Sequence, residues 1–284
     1  MTQKKERRTA LVLGAGGMVG AAWETGVLRG LLDAGLDVTD ADLVVGSSAG
    51  AVVGARLGAV GLPALYEREL GDEDAEPAAR LGVPVLLRYA VAVLRSRTPE
   101  EYGRRLGRLA LGARTQDGAS RRETVARRLG PVTDWPVRPL LVTAVDATTG
   151  ELVTYDASSG VPLVDAVTAS CAVPGLRPPV TVGGRRLIDG GIHSTANAHL
   201  AAGYEEVVVV APDGRGNKVL PSPDRQGADL AAAGARVEVI TPDADSRAAL
   251  GRNPLGPAHR AAAARAGRAQ AARHAEAVAA VRNG

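Results

Sequence analysis

The segment Gly46-Ser47-Ser48-Ala49-Gly50 places a hydroxyl where it could act as a nucleophile. It follows the apolar run Leu43-Val44-Val45 and opens a helical pattern of small residues over 49–59. A serine at such a strand–turn–helix junction, a nucleophile elbow, is held in a tight turn that requires small flanking residues. The partial positive charge at the helix N-terminus favours an anion that develops there. This context predicts Ser48 as the nucleophile of an acyl transfer.

Two glycine-rich segments could supply the other groups that this chemistry needs. Residues 14–20 follow the strand-like run 9–13, and the backbone N–H groups of Ala15, Gly16 and Gly17 could bind an oxyanion. The segment 188–191 puts Asp189 at a strand end, where its carboxylate could accept the proton of a serine. The glycines that support the three motifs are Gly14, Gly20, Gly46, Gly50, Gly190 and Gly191.

In this order the three segments resemble the pattern of the patatin-like phospholipases, and the resemblance covers residues 9–211. A fourth stretch, 169–174, is also similar. The resemblance implies an α/β protein with the three-layer α/β/α patatin-like fold, a central, mostly parallel sheet and a helical cap. It also implies a catalytic Ser–Asp dyad without histidine, here Ser48 and Asp189, and hydrolysis of carboxylic esters of lipids.

The chain departs from the family pattern at two places. Val19 stands where many members carry a basic residue in the oxyanion loop. Because that loop acts through backbone N–H groups, we expect the change to affect packing or headgroup contact more than chemistry. The residues after Asp189-Gly190-Gly191 lack a proline and carry their asparagine late, at Asn197, which affects the expected turn geometry and not the dyad.

Rival readings of the motifs are weaker. An α/β-hydrolase would use Ser, Asp and His in that order. An elbow at residue 48, however, leaves no room for the strands that this fold places before it. The sequence also disfavours a dinucleotide-binding domain. Val19 stands where the third glycine of its phosphate-binding turn would lie, and no acidic residue ends the second strand. Histidines do follow Asp189, and none is expected to be the base: His193, His199, His259 and His274.

Three functional alternatives stay open at this point. The same dyad would serve an acyl thioesterase or a general carboxylesterase, and the fold could belong to a non-catalytic regulator. No His, Cys or Asp set has the spacing of a metal site, so we expect no metal and no cofactor.

The composition narrows the class of protein. A chain of 284 residues with 45% hydrophobic and 23% charged residues is typical of a globular protein. With 2% aromatic residues and a net charge of +3, nucleic-acid binding is not expected. A single cysteine, Cys171, excludes an internal disulfide and is expected to be buried. We expect a cytoplasmic protein, peripheral at most at the inner membrane face; the sequence leaves the oligomeric state open.

Alternating apolar runs and helical patterns predict the elements that position these motifs. Residues 1–8 are expected to form a flexible tail and 9–284 a single domain. Strands are predicted at 9–13, 43–46, 139–145, 206–211 and 236–240, hairpins at 151–155 and at 180–182 with 186–188, and helices at 21–34, 162–172 and 258–282. Residues 212–227 are expected to form a mobile loop.

Residues 63–130 interrupt this alternation and are predicted to form an inserted helical cap. An acidic cluster at 67–76 precedes an arginine-rich part at 104–128. The apolar stretch Val83–Leu94 is too short to span a bilayer. Apolar residues beside Arg104, Arg105 and Arg108 suit a peripheral encounter with anionic lipid, although a solvated surface explains the charges as well.

Overall fold

The structure is a computed structural model that describes residues 7–71, 79–113 and 118–283. Several residues named above lie outside the described ones: residues 1–6 of the predicted tail, Asp72, Glu73, Asp74 and Glu76 of the acidic cluster, and Arg114.

The described chain alternates strands and helices. The strands are β1 (Thr9–Leu13), β2 (Leu43–Ser47), β3 (Leu140–Asp146), β4 (Leu152–Tyr155), β5 (Val180–Val182), β6 (Arg185–Asp189), β7 (Glu206–Val210) and β8 (Arg236–Ile240). The helices are α1 (Gly17–Asp33), α2 (Ala49–Leu57), α3 (Leu62–Leu70), α4 (Val83–Arg95), α5 (Pro99–Leu111), α6 (Gly118–Leu129), α7 (Leu163–Ser170), α8 (Pro223–Ala232), α9 (Ala244–Leu250), α10 (Arg260–Ala271) and α11 (Ala275–Asn283).

The strands form one mostly parallel sheet in the order β5-β6-β3-β2-β1-β7-β8, with β4 paired to β3. The strands from β3 to β8 along this order are parallel to one another, whereas β4, β5 and β6 add antiparallel pairs. Every strand and hairpin predicted from the sequence is confirmed, with ends that shift by one or two residues. The α/β class is therefore correct.

The register of β3 brings two strand ends together. β2 pairs with Leu140–Thr143 and β6 with Ala144–Asp146, while β4 pairs with Val142–Val145. Because β4 overlaps both of the others, it must occupy one edge of β3, and β2 and β6 must share the opposite edge. There they run towards each other and end at adjacent positions, so Ser48 and Asp189 meet although 141 residues separate them.

Helices cover both faces of the sheet. Leu11 and Leu13 of β1 point into the main core with α1, α2 and α10, whereas Ala10 and Val12 point into a second core with α8. Helices α1 and α10 pack closely because Gly26 leaves no room for a side chain: an added Cβ would lie 2.1 Å from the Ala264 carbonyl oxygen. These layers form the three-layer α/β/α arrangement.

Residues 63–130 are helical where described, but their helices divide between the faces. Apolar residues of α3 and α6 join the main core. Helices α4 and α5 form a third core on the opposite face, with Val145 of β3 and Ile188 of β6. The segment predicted as one insertion thus packs as two separate units.

Three boundaries differ from the sequence predictions. Helix α1 begins at Gly17 and not at residue 21, because the Val19 N–H donates to the Pro254 carbonyl oxygen (3.2 Å) and fixes the first turn. Part of the expected loop 212–227 is helical, since Ser222 caps α8 by accepting from the Arg225 N–H (3.2 Å).

The third difference concerns the C-terminal helix predicted over 258–282. It is two helices, α10 and α11, because side chains in the turn between them bind the body of the protein. Arg273 contacts Asp243 (2.6 Å) and His274 contacts Glu238 (2.7 Å). Among the described helices, none combines the length and the apolar character that crossing a bilayer requires.

Candidate active site

Ser48 occupies the turn between β2 and α2 in a strained conformation. Its φ of +53° and ψ of −106° lie in a region that L-residues rarely adopt, at a cost of about 1–3 kcal/mol. The end of α7 holds this turn: the Ser48 N–H donates to the Ser170 Oγ (2.8 Å), and the buried Cys171 thiol donates to the Ser48 carbonyl oxygen (3.4 Å). The strain is thus compensated by contacts from the stretch 169–174.

The Ser48 hydroxyl donates to the Asp189 Oδ2 at 2.8 Å. The other carboxylate oxygen, Oδ1, accepts from the Gly191 N–H at 2.8 Å and fixes the carboxylate orientation. Both side chains are buried, with residue exposures of 6% for Ser48 and 4% for Asp189. Burial raises the pKa of Asp189 to about 6, and the hydrogen bonds from Ser48 and Gly191 oppose that rise. At neutral pH the carboxylate is therefore ionised and more basic than an ordinary aspartate.

A buried polar cluster behind the dyad joins its two strand ends. Ser47 Oγ lies 2.7 Å from Thr143 Oγ1, and Asn197 Nδ2 donates to Ser47 Oγ (2.8 Å). The same Nδ2 donates to the carbonyl oxygens of Gly190 (3.1 Å) and Ser194 (3.0 Å). Neither Thr143 nor Asn197 was predicted from the sequence as a site residue. The late asparagine after Gly191 was the available signal, but nothing in the sequence connects it to Ser47.

The predicted oxyanion segment is only partly available to a ligand. The Ala15 N–H donates to the Thr195 carbonyl oxygen at 2.7 Å, so Ala15 is not a free donor in this structure. Among the described residues, neither the Gly16 nor the Gly17 N–H has a hydrogen-bond partner. Both lie at the start of α1, where orphan N–H groups and the helix dipole favour an anion. The available donors are therefore those of Gly16 and Gly17.

Two of the motif glycines are required by close approach of the backbone. A Cβ on Gly50 would lie 2.1 Å from the Leu13 carbonyl oxygen, and one on Gly190 would lie 2.1 Å from Thr143 Oγ1. Added side chains at the remaining motif glycines would also collide within 3.0 Å of a neighbour: Gly14, Gly20, Gly46 and Gly191. The glycines hold the elbow, the loop and the Asp189 turn in contact.

A cavity of about 30 Å³ opens onto Ser48. Gly17 and Ala49 form part of its wall, and Arg121 and Arg128 reach it from α6. Leu176, Arg177 and Leu255 also line it. Drug-sized ligands occupy several hundred Å³, so this cavity has room for a group about the size of a water molecule.

The histidines lie apart from the dyad. His193 and His199 face each other with ring centroids 5.7 Å apart, and burial lowers the pKa of both. His274 contacts Glu238, and His259 lies beside Gly251. Within the described chain, no histidine donates to or accepts from Ser48 or Asp189. The described residues also contain no group of three His, Cys, Asp or Glu side chains able to hold a metal ion.

Comparisons with known proteins identify the family of the chain. A profile of the patatin-like phospholipase family matches residues 11–202, about two thirds of the chain, and no curated protein matches the sequence. Among solved structures, the chain is similar to VipD from Legionella pneumophila (14% identity, TM-score 0.47, 95% of this chain and 67% of VipD). It is also similar to the type III effector protein ExoU (17% identity, TM-score 0.41, 95% of this chain), of which it spans 54%.

The match over residues 11–202 includes the elbow, the glycine-rich loop and Asp189. The chain therefore belongs to the patatin-like phospholipase family. At the level of the family, this membership supports the hydrolysis of lipid esters.

Proposed function

We propose that this protein is a serine acyl hydrolase that cleaves carboxylic esters of lipids with a Ser48–Asp189 dyad. The observation that carries the proposal is the 2.8 Å hydrogen bond from Ser48 Oγ to Asp189 Oδ2, made from a strained elbow. A free serine hydroxyl is a weak nucleophile near neutral pH, and an adjacent carboxylate of raised pKa is a suitable base for it.

In the proposed reaction, Ser48 Oγ attacks the ester carbonyl carbon while its proton passes to Asp189 Oδ2. The tetrahedral intermediate carries its negative charge on the former carbonyl oxygen, which accepts from the N–H groups of Gly16 and Gly17. Collapse breaks the bond to the alcohol oxygen, and Asp189 returns the proton to that leaving group. Water then attacks the carbonyl carbon of the acyl-serine and gives a proton to Asp189. Collapse of the second tetrahedral intermediate breaks the bond to Ser48 Oγ, and Asp189 returns the proton to that oxygen, which releases the fatty acid and regenerates Ser48.

The small cavity at Ser48 bears on how the substrate reaches the dyad. Since about 30 Å³ cannot hold a lipid ester, some lining side chains must move before the ester carbonyl reaches Ser48. Arg121, Arg128 and Leu176 stand at that boundary. In this proposal, helix α6 of the cap controls access together with the segment after α7.

The proposed dyad is compatible with several leaving groups. Phospholipids, lysophospholipids and neutral glycerides all carry the carboxylic ester that the dyad would attack, and acyl thioesters are the alternative substrate class. We place the enzyme in the cytoplasm, with peripheral contact at the inner membrane face. The reaction requires no metal or cofactor.

The proposal is tested with a fluorophosphonate probe for activated serines and a short soluble p-nitrophenyl ester. We expect the probe to label Ser48, and Ser48→Ala to lower kcat/KM by about 10⁴-fold or more. The matched control is His193→Ala, which should retain activity within about threefold because His193 makes no hydrogen bond to Ser48 or Asp189. A wild-type protein that neither reacts with the probe nor hydrolyses ester would instead be the non-catalytic regulator.

A further inference from the structure

Helix α4 exposes an apolar face that the core does not explain. Among the described residues, seven large hydrophobic side chains are exposed, and five of them belong to α4. Their spacing puts them on one side of the helix. The five side chains, with exposures between 48% and 70%, are Val83, Leu86, Leu87, Val91 and Leu94.

The opposite side of α4 is apolar as well and faces the protein. Tyr89 donates its hydroxyl to the Pro174 carbonyl oxygen at 3.1 Å, and Val85 lies against Gly175. Ala92 is buried in the third core with α5. An outward face with the same apolar character as the inward one is not needed for folding, because a single buried stripe suffices to hold a surface helix. The outward side therefore indicates a partner.

The charges that line the groove beside this apolar face all have one sign. A groove of about 410 Å³ runs between α4 and α5, lined by apolar side chains and by four arginines: Arg88, Arg95, Arg105 and Arg108. Arg105 donates to the Arg95 carbonyl oxygen at 3.0 Å, and Lys218 donates to that of Leu94 at 3.4 Å. No aspartate or glutamate lines the groove, and α4 contains none. An apolar stripe beside a row of cations suits acyl chains below anionic headgroups.

We propose that the α4 face, made of Val83, Leu86, Leu87, Val91 and Leu94 with Arg88, Arg95, Arg105 and Arg108, docks on the surface of a bilayer that contains anionic lipid. The apolar side chains enter the boundary between headgroups and acyl chains, and the arginines contact the lipid phosphates.

The position of α4 relative to Ser48 connects this docking with the access of lipid to Ser48. Its inner side contacts Pro174 and Gly175, and the same segment continues to Leu176 and Arg177, which line the Ser48 cavity. A bilayer on the outer side of α4 would thus lie one helix thickness, about 10 Å, from the segment that closes the cavity. Docking would present lipid next to the side chains that must move for access.

The test is cosedimentation of the full chain with vesicles of phosphatidylcholine and phosphatidylglycerol, and with phosphatidylcholine alone. Ser48→Ala serves as the background so that no lipid is hydrolysed. We expect binding to the mixed vesicles that weakens as salt rises, and much weaker binding to phosphatidylcholine alone. The triple change Leu86→Gln, Leu87→Gln and Leu94→Gln should lower binding to the mixed vesicles by about tenfold or more.

Matched controls distinguish binding through the α4 face from non-specific adsorption to the vesicles. Val137→Gln removes a more exposed apolar side chain outside α4, in the segment before β3, and should bind like the parent protein. Arg88→Gln with Arg95→Gln should weaken binding by about tenfold. Arg215→Gln with Arg225→Gln removes the same net charge elsewhere and should have little effect.

Three results would overturn the docking proposal. The first is no binding of the parent protein to mixed vesicles, and the second is an equal loss in the α4 variants and their controls. The third is a dimer in sedimentation velocity that the leucine changes dissociate, because the face would then join two copies of the chain. Hydrolysis of the soluble ester by the wild-type protein is a separate readout: its absence would contradict the Ser–Asp reaction and leave vesicle binding as it stands.

Discussion

The Ser48–Asp189 site and the α4 face depart from ordinary burial in opposite directions. The site buries hydroxyls, an amide and a carboxylate where β2 and β6 end against β3, whereas the α4 face exposes five large apolar side chains. Each departure destabilises the folded state, since polar groups prefer water and apolar groups prefer the core. We infer that the first region serves the proposed reaction and that the second region contacts a surface.

The two regions also differ in how closely they are packed. Around the dyad, hydrogen bonds connect β2, β3, β6 and the turn at Asn197, and the glycines leave no space for side chains. Around α4 there is a groove of about 410 Å³. A change at the dyad should therefore affect every substrate or the stability of the fold, whereas a change at α4 should affect only substrates presented by a lipid surface.

After the loss of the nucleophile in Ser48→Ala, the largest expected effect comes from Asp189→Asn. An amide cannot accept the serine proton, so kcat/KM should fall by about 10³-fold or more on soluble and vesicle substrates alike. The matched control is Asp146→Asn at the end of β3, where the carboxylate is buried to a similar degree but accepts from Thr148 and Thr149. That variant should keep activity within about threefold. An Asp189→Asn enzyme with more than a tenth of wild-type activity would remove aspartate from the role of base.

The second expected effect concerns stability at Ser47, the serine beside the nucleophile. The structure buries the Ser47 hydroxyl against Thr143 and Asn197. Its removal leaves buried polar groups without a partner and should lower the free energy of unfolding by about 1–3 kcal/mol. Urea denaturation measures this, with the exposed Ser158→Ala as control. An unchanged midpoint would mean that the cluster does not support the site.

The smallest expected effect is the pH dependence set by Asp189. Its pKa is raised to about 6, so kcat/KM on the soluble ester should be level above that pH and fall about tenfold per unit below it. The sign for stability is opposite. The folded state holds this proton more tightly than the unfolded state, so the contribution of Asp189 is fully present below the ordinary aspartate pKa and is lost as pH rises through about 6.

Two measurements test these statements. One is kcat/KM of the wild type as a function of pH, and the other is urea denaturation of Asp189→Asn and of the wild type over the same pH range. The variant should unfold at higher urea than wild type at pH 8, because it buries no charge there, and the difference should shrink towards pH 4. A midpoint in kcat/KM near 7 that moved in His193→Ala would assign the base to the histidine and end the dyad description.

The sequence alone determined the strands, the class of the fold and the three glycine-rich segments of the proposed site. These are local properties: an apolar run before Gly46, small residues after Gly50 and a glycine pair after Asp189 each restrict the backbone near them. Resemblance to a known family supplied the pairing of Ser48 with Asp189. Neither local pattern nor spacing could supply it, because the two residues lie 141 positions apart.

Tertiary structure decided what depends on contacts between distant segments. It engaged the Ala15 N–H with Thr195, recruited Ser47, Thr143 and Asn197 into one cluster, and divided residues 63–130 between two faces of the sheet. It also showed that the apolar side of α4 points outward. Hydrophobic periodicity marks an apolar face on a helix but does not say whether that face meets a core or a solvent boundary, and only the packing of the whole chain settles this.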